Sequence, residues 1–154
     1  MILGNLLEKL DFKDEKNILV QGLPSSIEKC FAKLSYSKNV TPLLKTKKID
    51  FALVFAVNQH QLNTVLQEVF SAVHDRTKVW IAHPKSTSKI TSDLNRQNSW
   101  NILTENGMDI FGEVAIDHVW NAYLFRKATE ENKEDARQKA IELEATVATV
   151  EEDL

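Results

Sequence analysis

The densest group of side chains able to do chemistry in this sequence is the run His83-Pro84-Lys85-Ser86-Thr87-Ser88-Lys89. A histidine, two lysines and three hydroxyls follow an apolar segment there, and Lys85 and Lys89 suit the reception of an anion. Two further groups sit at predicted segment ends. Gly22 precedes the serine pair Ser25-Ser26, and Asn58 is followed two residues later by His60.

Each group also has a plain structural reading. Ser25-Ser26-Ile27-Glu28 fits a capping box, and Glu28 places negative charge where an anion would go. Asn58 is among the best helix caps, with Gln61 in the reciprocal position. Ser86 to Lys89 matches Ser-x-x-Lys, the nucleophile-and-base spacing of penicillin-recognising enzymes. Four residues recur by chance, the companion motifs are absent, and the chain is too short for that fold. His60, His74, His83 and His118 have no metal-ligand spacing, and Cys30 stands alone, so neither a metal site nor a disulfide framework is expected. Trp80, Trp100 and Trp120 fall in different predicted elements, which makes them core or groove residues before a stacking platform.

These residues need elements to position them. Leu3, Leu6, Leu7 and Leu10 predict a short amphipathic helix on the body. Residues 17–24 read as a strand stopped by Gly22 and Pro24, followed by a helix with the stripe Ile27, Cys30, Phe31, Leu34. Residues 40–44 read as a short edge strand, because Pro42 removes a ladder donor. Residues 50–57 are apolar on both faces, which predicts a strand buried between layers and placed centrally. Asn58 then opens a helix carrying Leu62, Val65, Leu66, Val69, Phe70 and Val73. Residues 78–84 form the third strong strand, and a helical region ends at Asn106-Gly107. Residues 110–117 and 119–127 predict two strands paired as an antiparallel hairpin.

The resulting fold class is α/β: a Rossmann-like three-layer sandwich whose mainly parallel sheet ends in a C-terminal antiparallel hairpin. Its 154 residues divide as a domain over 1–127 and an acidic helical tail over 128–154. The tail holds 9 acids and 3 bases, net -6, against +3 for the body. That body charge is well short of a nucleic-acid-binding face. Along the tail, Ala136, Ala140, Leu143, Val147, Val150 and Leu154 follow a heptad-like spacing that suits a second copy. The expected docking place for the acidic tail is near the basic loop at 45–48. No apolar stretch approaches the roughly 20 residues of a membrane helix, and the start lacks a basic leader, so a cytoplasmic protein is expected.

The order of elements over about residues 17–127 resembles the class I S-adenosylmethionine-dependent methyltransferases. Ile18-Leu19-Val20-Gln21-Gly22 stands for their first strand, residues 51–57 for the strand before the catalytic position, and residues 79–84 for the next. Small bacterial domains that are cut-down versions of that fold are similar too. The resemblance implies ligands at the carboxyl ends of the strands, on Gly22, Ser25, Ser26, Asn58, His83, Lys85, Ser88 and Lys89. It also implies a polar catalytic residue at Asn58. The sequence departs from the family at two contacts. Gly22 is a lone glycine where a glycine-rich turn is usual, and Thr41-Pro42-Leu43-Leu44-Lys45 stands where an acidic residue holds the ribose. About 28 residues separate Gly22 from Asp50, too few for the full cofactor half, so one strand-helix unit is missing. These departures point to a non-catalytic bacterial binding or interaction module with no cofactor. Its ligand would be a small anion or nucleotide and its partner a second copy. The alternatives are an S-adenosylmethionine- or nucleotide-binding protein and a weak nucleic-acid binder using Lys29, Lys33, Lys38, Lys45, Lys47 and Lys48.

Overall fold

A computed structural model describes residues 2–13, 15–32, 34–38, 48–94 and 100–152, with backbone alone at 2–5 and 143–152. The apolar runs of the first half form three adjacent parallel strands, β1 (Ile18–Gln21), β2 (Ile49–Phe55) and β3 (Val73–Pro84). Along β2, Phe51, Leu53 and Phe55 enter one core while Ala52 and Val54 enter the other. A strand covered on both faces needs apolar residues at every position, and this one has them.

Strands β4 (Met108–Ala115) and β5 (Trp120–Lys127) pair antiparallel as expected. Strand β5 also lies antiparallel against β3, which sets the order β1-β2-β3-β5-β4. Among the described residues the sheet is therefore mixed rather than mainly parallel, since two of its pairings are parallel and two antiparallel. The cause is the reversed strand β5, which takes the place beside β3 and contributes an antiparallel ladder on each side. Among the described strands β3, not β2, is the third of five.

Two cores make three layers. On one face lie α1 (Ile2–Lys9) and a single 3-10 turn (Glu28–Phe31), which bury Leu6, Leu10 and Phe31 against Phe51, Leu53 and Trp80. Helix α2 (Gln59–Val69) and the short α3 (Asn101–Glu105) cover the other face, with Leu62, Leu66 and Leu103 against Val54, Ile81 and Phe125. Asn58 caps α2 as its spacing predicts: its Oδ1 accepts the Gln61 N–H at 2.7 Å, and Gln61 Oε1 accepts the Val57 N–H at 3.0 Å. The helix stops at Val69, and a 3-10 turn (Phe70–Ala72) hands Val73 to β3, so Val73 belongs to the strand.

The helix expected after β1 does not form. Residues 25–27 make a turn, and Ile27, the residue before the 3-10 turn, has no side-chain cap bond. Space explains this, because the chain is already back beside β1 at Ser37. There the Val20 N–H donates to the Ser37 carbonyl at 2.9 Å and the Ser37 N–H donates to the Ile18 carbonyl at 2.8 Å. The chain thus touches the outer side of β1 before β2 forms on the inner side, and the strand order reverses between β1 and β2. The expected strand at 40–44 and the basic residues Lys33, Lys45 and Lys47 lie outside the described residues.

The acidic tail is helical, α4 (Glu130–Glu152), and its first turns are fastened to the body. Asn132, fully buried, accepts from Arg126 Nη2 at 2.6 Å and donates to the Asp75 and Lys127 carbonyls at 2.7 and 2.9 Å. Arg76 meets Glu131 and Asp135, and Lys139 reaches Asp11 at 2.6 Å. The helix therefore leans on the body through a polar face, while Ile141 stays 58% exposed. Among the described residues no helix is long and apolar enough to cross a membrane.

Candidate functional site

The parallel register of β1, β2 and β3 brings the loops at 22–26, 58–60 and 83–89 to one edge of the sheet. It does not bring their side chains into one site. Gly22 and Ser25 line a small hollow of about 190 Å³ together with Glu28, Tyr36 and Lys38. His83, Lys85, Ser88 and Lys89 line a separate cavity of about 640 Å³ with Trp100 and Tyr123. Asn58 lies between the exits with its carbonyl oxygen used by the cap, and Ser26 and His60 are exposed.

Gly22 has a packing reason for being glycine. Its φ is +75°, and a Cβ there would lie 2.7 Å from the Phe55 carbonyl oxygen. The ends of β1 and β2 thus close on each other at the point where strand order reverses, the place where an open α/β sheet ordinarily receives its ligand. Ser25 and Ser26 stand before a 3-10 turn rather than a helix start, so the anion-binding N-terminus expected of them is not formed.

The roomier cavity opens one strand further along. His83 leaves β3 on the α2 side and stacks on Tyr123, with ring centroids 5.4 Å apart and 14° between planes. Trp100 closes the group at 5.5 Å from His83 and 5.6 Å from Tyr123. His83 Nδ1 lies 3.3 Å from the Pro84 carbonyl, which can only accept, so the proton sits on Nδ1 and Nε2 is left as an acceptor. Burial pushes the His83 pKa below the ordinary histidine value, against the opposing pull of that carbonyl and Glu113. His83 Nε2 and Trp100 Nε1 are both buried without a hydrogen-bond partner.

The loop over this cavity is anchored at both ends. The Lys85 N–H donates to the Val119 carbonyl at 2.7 Å, and Asp93 Oδ1 accepts the Gln59 N–H at 2.7 Å at the start of α2. Sequence reasoning missed Asp93, Trp100 and Tyr123 as members of this region. No local signal marks them, since Asp93 acts 34 residues from its partner, and a lone tryptophan or tyrosine reads as core.

A second, larger cavity of about 820 Å³ lies at the opposite, amino edge, under α4. Its walls are charged, and the charges mostly satisfy one another. Asp50 accepts the Asn17 N–H at 3.0 Å and His74 Nε2 at 2.8 Å, while His74 Nδ1 accepts the Arg76 N–H. Lys78 Nζ reaches the Asp11 carbonyl at 2.6 Å and Glu15 at 3.0 Å. Arg126 Nε is the exception, buried with no partner. Of the lysines weighed for nucleic acid, Lys29 and Lys38 line a hollow beside the 3-10 turn and Lys48 lines the amino-edge cavity, so these three do not share a surface. Among the described residues no group of three His, Cys, Asp or Glu is placed to hold a metal ion.

No protein-family model and no curated protein sequence matches this chain. Solved structures do. Mitomycin 7-O-methyltransferase MmcR is similar with a TM-score of 0.57 at 10% identity, over 82% of this chain and 53% of that one. A mutant of MtNAS is similar at 0.54 and 12% identity, over 83% and 59%. A Haemonchus contortus N-methyltransferase, in complex with phosphomonomethylethanolamine and S-adenosylhomocysteine, is similar at 0.51 and 10% identity, over 81% and 37%. The chain thus spans between 37% and 59% of the length of these three proteins. Over about four fifths of its own length, this chain carries the fold of the class I S-adenosylmethionine-dependent methyltransferases.

Proposed function

We propose that this chain is a non-catalytic Rossmann-like binding module of a bacterial cytoplasm, with its ligand site displaced from the usual crevice to the exit of β3. The observation that carries this reading is the contrast between two exits. At β1, Gly22 packs against the Phe55 carbonyl and Glu28 lines the small hollow left over. At β3, a cavity of about 640 Å³ is lined by Lys85 and Lys89. That volume suits one small ligand, and the two ammonium groups select an anion. Fold alone does not assign an activity, and Asn58, the position the family resemblance marks as catalytic, has its side-chain oxygen committed to the helix cap.

A thermal-shift series with inorganic phosphate, nucleoside monophosphates and S-adenosylmethionine tests the reading. A ligand at 100 times its Kd adds about 2.7 kcal/mol. Phosphate-bearing ligands are expected to raise the Tm, with the rise lost in a Lys85→Ala, Lys89→Ala double variant. A micromolar Kd for S-adenosylmethionine by calorimetry would replace this reading with its rival, a methyltransferase-like cofactor binder.

The same module has a second copy as its proposed partner. In support, α4 uses polar residues against its own body and leaves Ile141 exposed. Light scattering of the full chain is expected to give the dimer mass, and Ile141→Glu the monomer mass. A full chain that is monomeric at high micromolar concentration ends the dimer reading.

A further inference from the structure

We propose that residues 86–92 form a lid over the cavity at the β3 exit, hinged at Lys85 and at Asp93-Leu94, and that the lid closes when an anion reaches Lys85 and Lys89. This rests on the binding-site reading above and adds the motion by which that site holds its ligand.

The difference between the ends of the loop and its middle carries the inference. At one end the Lys85 N–H donates to the Val119 carbonyl at 2.7 Å. At the other, Asp93 Oδ1 accepts the Gln59 N–H at 2.7 Å, and Leu94 packs against the core on the α2 side. Between these anchors, among the described residues, the loop bonds only to itself. The Ser88 N–H donates to the Lys85 carbonyl at 3.0 Å, the Ile90 N–H to Ser88 Oγ at 3.4 Å, and the Leu94 N–H to Ser92 Oγ at 3.2 Å. A segment with few bonds to its surroundings, held between fixed ends, is the part of a structure that moves at low cost.

That middle is also one wall of the cavity, while His83, Pro84, Trp100 and Tyr123 form the strand side. The wall stands open: Ile90 lines the cavity and is 39% exposed, and Lys89 beside it is exposed too. Moving the wall inward takes the Ile90 side chain out of water, which favours closure. The same movement draws Lys89 toward Lys85, and among the described residues no acid lines the cavity to offset the two charges. Like charges repel until an anion lies between them. The anion therefore decides whether closure is favourable, which makes the lid respond to the ligand.

The test is millisecond amide exchange joined to binding kinetics on the full chain, with inorganic phosphate and AMP as probes. Bound anion is expected to slow exchange across residues 86–92 about ten-fold, with the Gln59 and Lys85 amides, already bonded, unchanged. Ile90→Ser removes the apolar contact that closure makes and keeps both lysines. It is expected to retain the wild-type association rate, to dissociate about five-fold faster, and to lose most of the protection. An anion that binds while residues 86–92 exchange as in the free chain overturns the lid and leaves the anion site standing. An Ile90→Ser protein with wild-type dissociation and wild-type protection does the same. Binding by neither probe overturns both. The wild-type exchange decides the matter even if the variant folds poorly.

Discussion

The two edges of the sheet use polar groups in opposite ways. At the amino edge, under α4, acids and bases are matched to each other across elements, with Asp11 receiving Lys78 and Lys139, Asp50 receiving Asn17 and His74, and Asn132 making three bonds at once. At the carboxyl edge, Lys85 and Lys89 line a cavity, and His83 Nε2 and Trp100 Nε1 lack partners. The amino-edge cavity is the larger, yet it is the poorer candidate for a ligand. Apart from Arg126 Nε, the amino-edge groups already satisfy one another and offer a newcomer little, whereas groups without partners gain from one. The amino edge fastens the tail helix, and the carboxyl edge holds the cavity of the proposed ligand site.

The contrast between the edges is tested most forcefully through a strand that runs between them. Leu53, fully buried in β2, should cost about 2–5 kcal/mol as Leu53→Ala in urea unfolding, because the surrounding core collapses only partly around the lost atoms. A loss below about 1 kcal/mol would mean β2 is not the shared wall of the two edges. Next comes Asn132→Ala, expected to cost about 1–3 kcal/mol because the Asp75 carbonyl loses its donor and Arg126 its 2.6 Å bond. Amide exchange should then quicken in the first turns of α4. If it does not, the helix is held by something other than this residue.

Gly22→Ala should cost about 1–2 kcal/mol for its left-handed φ, with the Phe55 oxygen at 2.7 Å adding to that. Gly107→Ala has the same φ sign but open space around it, so it should show only the first part. Equal losses at the two glycines would deny the closed crevice between β1 and β2.

The smallest expected effect separates the edges by pH. Folded His83 titrates below the roughly 6.5 of an unfolded histidine, so the folded chain binds fewer protons and stability falls as pH drops from about 6.5 toward the folded pKa. Burial pushes Asp50 up, but Asn17, His74 and Lys48 outweigh it, and Asp11 is likewise held low by Lys139 and Lys78 against its burial. Their stabilisation is whole above about pH 4 and is lost as pH falls through the depressed values. Urea melts across this range should therefore show two declines. His83→Gln should remove the upper one and Asp50→Asn should shrink the lower. A His83→Gln protein with the wild-type profile between pH 7 and 5 would contradict the buried, neutral histidine.

Features encoded within a few residues of themselves were legible in the sequence. The two-faced apolar run around Leu53 could only be an interior strand, Asn58 and Gln61 formed a cap for the helix they open, and Asn106-Gly107 ended α3 with Gly107 at φ +79°. The antiparallel hairpin was legible because β4 and β5 are neighbours in the chain. The His83 to Lys89 loop was legible as polar, but its cavity was not. Tertiary packing alone set β5 beside β3, turned Gly22 against Phe55, left residues 25–32 without a full helix, and brought Trp100 and Tyr123 to His83. The difference is one of range. Capping, periodicity and turn chemistry act over one to four residues, whereas strand order, a closed crevice and an unpartnered nitrogen depend on which distant segments arrive at the same place.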